Sequence, residues 1–86
     1  MNGFRRGLTG LHTDEHRRLV GELAALRRIA ALTQDELGER IGADQTYVAK
    51  YEKGRRRLDV VEFMRIAAAL NADPVAVLMK VWPKQF

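Results

Sequence analysis

The stretch Thr33–Arg57, TQDELGERIGADQTYVAKYEKGRRR, decides the fold. Thr33 suits a helix N-cap, and Glu36, three residues on, can return its carboxylate to the cap's own N–H. Leu37 and Ile41 fall four apart and give a short helix one narrow buried stripe. Gly42 can close that helix in the left-handed conformation at little steric cost. Asp44 then caps a second helix, Val48 and Tyr51 supply its inward face, and Gly54 ends it. Two short helices joined by a tight turn form a helix-turn-helix, a motif that lays its second helix in the major groove of DNA.

Leu32-Thr33-Gln34, Glu36-Leu37, Ile41-Gly42, Val48, Lys50 and above all Tyr51-Glu52-Lys53-Gly54-Arg55 occur here in an order and spacing that carry a resemblance. They are similar to the DNA-binding domain of the Cro/C1-type (lambda-repressor-like, XRE family) regulators. With flanking helices the resemblance covers about Leu19 to Leu78. It implies an all-α, compact five-helix domain, here residues 13–80, between an N-terminal arm (1–12) and an apolar C-terminal tail (81–86). It also implies that Arg27 pairs with Glu52 as a structural, partly buried ion pair, whose disruption costs ~3–5 kcal/mol where burial is deep. Two positions depart from the family's pattern. Ala31 stands where glycine commonly ends helix 1, and a left-handed alanine costs ~1 kcal/mol or more. Gly38 stands where alanine is preferred against the recognition helix, and weakens helix 2 by ~1 kcal/mol.

The chain of 86 residues is the size of one domain, and with 47% hydrophobic residues it can bury a core. The absence of cysteine excludes disulfides and thiolate metal sites and fits a cytoplasmic setting. No apolar run approaches the ~18 residues that a membrane helix needs, and the N-terminus has no signal-peptide core. The net charge of +4 and pI near 10.0 point to a polyanionic partner. Position says more than total: Lys50–Arg57 holds five basic residues against Glu52 alone.

In chain order, residues 1–12 are Gly-rich and lack helical periodicity. Arg5 and Arg6 either follow phosphates or enter a minor groove, or the arm has no role; Leu8 and Leu11 cover part of the core. Helix 1 begins at Thr13, with Asp14 and Glu15 at the positive end of its dipole. Its buried stripe is Leu19, Leu23, Leu26 and Ala30. His12 and His16 lie four apart, but Thr13 leaves His12 outside the helix and no glutamate follows it, so two exposed histidines are expected and no metal site. Beyond the arginines, Asp59 and Glu62 form a second capping box, and Phe63, Ile66, Ala67 and Leu70 give helix 4 its core face. Asn71 suits the C-terminal cap. Asp73-Pro74 opens a short helix 5, with Val75 and Leu78 inward. Val77, Val81, Trp82 and Phe86 remain as surplus apolar surface, for a subunit interface or, in the case of Trp82, for extra core over helix 1.

On a helix of about 44–53 capped by Asp44, Gln45, Thr46, Ala49 and Lys50 share the exposed face and are the candidate base contacts. Gln45 can bond adenine N6 and N7, Thr46 a thymine methyl or a phosphate, and Lys50 guanine O6 and N7, while Ala49 lets the helix sit deep. Lys53, Arg55, Arg56 and Arg57 suit phosphates, although at least one arginine can serve Asp59 or Glu62 instead. Thr33 and Tyr47 are further backbone candidates, with packing on helix 2 the other reading of Tyr47. The resemblance implies that Gln34 touches the DNA backbone and braces the first recognition residue; a helix N-terminus suits phosphate on general grounds.

The expected function is a sequence-specific double-stranded DNA-binding transcriptional regulator, a dimeric repressor on a near-palindromic operator. The alternative is an antitoxin or accessory protein that binds DNA but acts chiefly on a partner protein through the C-terminal tail. No cofactor is implied, and no catalytic triad, phosphate-cradling loop or clustered carboxylate site is present to suggest an enzyme.

Overall fold

Thr13 caps the first helix: its hydroxyl accepts the His16 N–H at 3.2 Å, and α1 runs Asp14–Ile29. The computed structural model describes residues 13–82. The arm, with Arg5, Arg6, Leu8, Leu11 and His12, lies outside the described residues, as does Phe86. Four more helices follow, α2 Gln34–Ile41, α3 Gln45–Glu52, α4 Val60–Ala69 and α5 Pro74–Val81. The fold is all-α, with no strand among the described residues. Val81, grouped with the tail on sequence, is the last residue of α5.

Each start is fixed locally. Thr33 and Glu36 close a capping box, with Thr33 Oγ1 accepting the Glu36 N–H at 3.0 Å and Glu36 accepting the Thr33 N–H at 2.8 Å. Asp59 and Glu62 do the same at 2.7 and 2.9 Å. Asp44 and Asp73 each accept one N–H of the helix that they precede. The ends of α1 to α4 share one device. Ala31, Gly42, Gly54 and Asn71 take left-handed φ angles of 59°, 75°, 74° and 56°. In each case the next residue's N–H reaches the carbonyl five residues back, at 2.8–3.1 Å. Ala31 therefore keeps the geometry that suits glycine.

The core joins Val20 and Leu23 of α1, Leu37 of α2, Val48 and Tyr51 of α3, Phe63, Ile66 and Leu70 of α4 and Val77 of α5. Two stripes differ from expectation. On α1 the buried side chains are Val20, Leu23 and Ala24, while Leu19 and Leu26 flank them and Ala30 is exposed. Ala30 is the C-cap, where the chain already turns away. On α5 the expectation fails by one helical phase: Val75 and Leu78 are exposed and Val77 is buried. The helix is apolar nearly all round, so periodicity could not choose a side; packing against α1 and α4 selects the Pro74–Val77–Val81 face. His16 is half-buried rather than exposed.

Gly38 is the tightest point of the motif. A Cβ built there would lie 2.9 Å from both the carbonyl carbon and oxygen of Asp44, and 3.1 Å from the Ala43 oxygen. Glycine at 38 lets α2 press on the turn that launches α3. Among the described residues, no helix is long and apolar enough to cross a membrane.

Candidate nucleic-acid interface

α3 has eight residues with two opposed faces. Val48 and Tyr51 are wholly buried against α1 and α2. Gln45, Thr46 and Lys50 are exposed, and Ala49 between them is half-buried. At 3.6 residues per turn these four side chains fall within roughly 140° of arc, a single outward strip. It is polar, with one cation and no acid, and the negative first turn common to α1, α2 and α4 is absent.

This strip is braced from behind. Arg27 donates to Glu52 from Nε at 2.7 Å and from Nη2 at 3.2 Å, while its Nη1 reaches the Leu32 carbonyl at 2.7 Å. The side chains of Arg27 and Glu52 are 13% and 6% exposed, so the charges meet largely out of water. Hydrogen bonding to Glu52 raises the Arg27 pKa above its ordinary range. Gln34 Nε2 donates to the same carboxylate at 3.0 Å, and Gln45 Nε2 donates to Gln34 Oε1 at 2.9 Å. One continuous chain of bonds thus runs from α1 to the first residue of α3. The link from Glu52 to Gln34 goes beyond the sequence expectation. Its trace in the sequence is slight: Gln34 opens α2 and Glu52 ends α3, and nothing in the spacing pairs them.

The remaining site residues divide. Thr33 is exposed, and its hydroxyl is engaged as the α2 cap, accepting the Glu36 N–H and hydrogen-bonded to the Glu36 carboxylate. Lys53, Arg55 and Arg57 belong to the segment after α3, where Lys53 and Arg55 are exposed. Arg56 is turned inward: it pairs with Glu62 at 2.9 Å, donates to the Arg57 carbonyl at 2.7 Å, and lies 4.6 Å above the Tyr47 ring. Its charge serves the α3–α4 junction, so Arg56 is set apart from the other cations. Tyr47 belongs to the same junction rather than to the outward strip or to α2 packing alone. Its ring meets Tyr51 edge-on at 5.8 Å, and burial, with hydrogen bonding to Glu62, pushes its phenol up to about 12.

The chain is similar in sequence and fold to known proteins. The profile of a helix-turn-helix domain family matches residues 18–78. The chain is 40% identical over 63 residues to an uncharacterized HTH-type transcriptional regulator, y4dJ, of Sinorhizobium fredii, covering 72% of this chain and 82% of that one. It is also 40% identical over 60 residues to an uncharacterized transcriptional regulator in the ATPase CF(0) region of Rhodospirillum rubrum, covering 69% of this chain but 53% of that protein's length. Among solved structures, an XRE-family like protein from Pseudomonas syringae superposes with a TM-score of 0.80 at 36% identity, over 94% of each chain. The restriction-modification controller protein C.AhdI from Aeromonas hydrophila gives 0.68 at 30% identity, over 74% of this chain and 91% of that one. The likeness therefore extends past the two-helix motif to the surrounding bundle.

Proposed function

The chain belongs to the Cro/C1-type (XRE) helix-turn-helix family, and from that premise we propose that it is a DNA-binding transcriptional regulator. It reads double-stranded DNA by seating α3 in the major groove. The carrying observation is the outward strip of Gln45, Thr46 and Lys50, backed by buried Val48 and Tyr51 and braced through Gln34. Lys53, Arg55 and Arg57, with the N-terminal end of α2 at Thr33 and Gln34, supply phosphate contacts that fix the register. Names of the relatives, two transcriptional regulators and a restriction-modification controller, support regulation over catalysis. No step of this reading needs a reaction.

The finer reading is a homodimeric repressor acting in the cytoplasm, which occupies a near-palindromic operator with half-sites ~34–36 Å apart or a multiple of that. Selection of sites from random duplexes tests it directly. Gln45→Ala and Lys50→Ala should each cost ~1–3 kcal/mol and relax preference at a single base pair. Arg55→Ala should weaken all duplexes alike and flatten the salt dependence. Unaltered site selection by both α3 variants would remove this helix from the reading. A second reading, action on a partner protein through the C-terminal tail, draws on Trp82, exposed just after α5. Pull-down with the intact chain against one ending at Met79 separates the two.

A further inference from the structure

We propose that Glu52 fixes which way round Gln45 presents its amide, and thereby which base the first turn of α3 selects; this rests on the DNA-reading function above. A side-chain amide has a carbonyl on one arm and an NH2 of similar size on the other. An exposed glutamine can turn over and offer either, so its reading of a base is ambiguous unless a neighbour breaks the tie. The neighbour must itself be unable to turn over. An ionised carboxylate meets that condition, since it accepts hydrogen bonds and never donates them.

Glu52 is such a group. It is held in place by the two-point contact from Arg27, and Arg27 is anchored in turn on the Leu32 carbonyl. Gln34 lies 3.0 Å from the carboxylate and must face it with nitrogen. The Gln34 carbonyl is then committed to the opposite side, where Gln45 lies at 2.9 Å and must answer with an N–H. Gln45 spends one N–H inward and keeps its carbonyl and remaining N–H for the groove. That pair complements adenine, which offers a donor at N6 and an acceptor at N7. It mismatches guanine, whose N7 and O6 both accept. The polarity set at the buried carboxylate is passed outward one amide at a time, so Glu52 and Gln34 are positioning residues and Gln45 is the reader.

Variants at Gln34 test this without removing the Arg27–Glu52 pair. Gln34→Glu still offers Gln45 an acceptor, so adenine preference should persist although the added charge lowers overall affinity. Gln34→Lys donates on both sides; it satisfies Glu52, turns the Gln45 carbonyl inward and leaves the NH2 outward, so preference at that base pair should move to guanine. Gln34→Met neither donates nor accepts, and discrimination should collapse towards equality. The readout is competition between duplexes differing at that one base pair, with thermal melting of each variant to confirm folding. The wild-type preference for adenine should be on the order of 10-fold. The proposal is overturned if Gln34→Lys and Gln34→Met both rank the bases as the wild type does, or if Gln34→Glu alone abolishes the ranking. Loss of sequence selectivity in the wild-type protein itself would instead remove the underlying function, and this inference with it.

Discussion

Ala31 and Gly38 both depart from family habit, and their surroundings make the two departures opposite in effect. Ala31 ends α1 at φ 59°, where its Cβ crowds the backbone. Ala31→Gly should stabilise the domain by ~1 kcal/mol, a rise in Tm of roughly 4–8 °C for a chain of this size. At Gly38 the habitual alanine would gain ~1 kcal/mol in helix propensity. Its Cβ would nonetheless meet the Asp44 backbone at 2.9 Å, atoms that cannot swing aside as a flexible side chain can. Gly38→Ala should therefore lower stability by ~1 kcal/mol or more, overpacking outweighing propensity. Because Asp44 caps α3, the same substitution should also weaken DNA binding. Thermal melts of the two single variants, run side by side, would show opposite shifts; a gain in Tm for Gly38→Ala would mean that the turn yields easily.

The helix starts were readable from sequence because a cap is a local matter. Thr33 with Glu36 and Asp59 with Glu62 each lie within four consecutive residues and satisfy one another whatever surrounds them. What a helix faces is not local. The residues of α5 are apolar on nearly every side and could not declare their phase, and Tyr47 found its company across the loop, in Arg56 and Glu62. The capping boxes also make acid a probe of these elements. Glu62 is held below the ordinary 4.5 by the Asp59 N–H and then by Arg56, and Glu36 is lowered by the Thr33 N–H. A depressed carboxylate contributes stability above its unfolded pKa and loses it as pH falls through the folded one. Tm should hold from about pH 7 to about pH 5 and fall below about pH 4.5. Glu62→Gln keeps an acceptor for the Asp59 N–H but carries no charge, so its decline in acid should be shallower. Identical acid profiles for the two proteins would place the sensitivity elsewhere.

At the scale of the molecule, the proposed reading strip and the exposed apolar stripe of α5 lie on helices that pack on different pairs of neighbours. α3 packs on α1 and α2, whereas α5 packs on α1 and α4, so the outer face of α5 is clear of the proposed groove-reading strip. That face carries Val75, Leu78, Met79 and Trp82 at helical spacing, exposed by 64%, 46%, 73% and 60%. A single recognition helix makes few base contacts, so the proposed repressor reading calls for a second copy, and this stripe is an apolar face that a two-fold contact would cover. Met79→Glu places a charge in its middle at a position already open to solvent, where folding stability should change by less than ~0.5 kcal/mol. On the homodimer proposal, sedimentation should show a dimer for the wild type and a monomer for this variant. Affinity for a palindromic duplex should fall at least ~10-fold, the loss of one linked binding event, while affinity for an isolated half-site stays as it was. A variant that remained dimeric with full affinity would move the interface away from α5, and the exposed Val60, Val61 and Met64 of α4 would be the next face to charge.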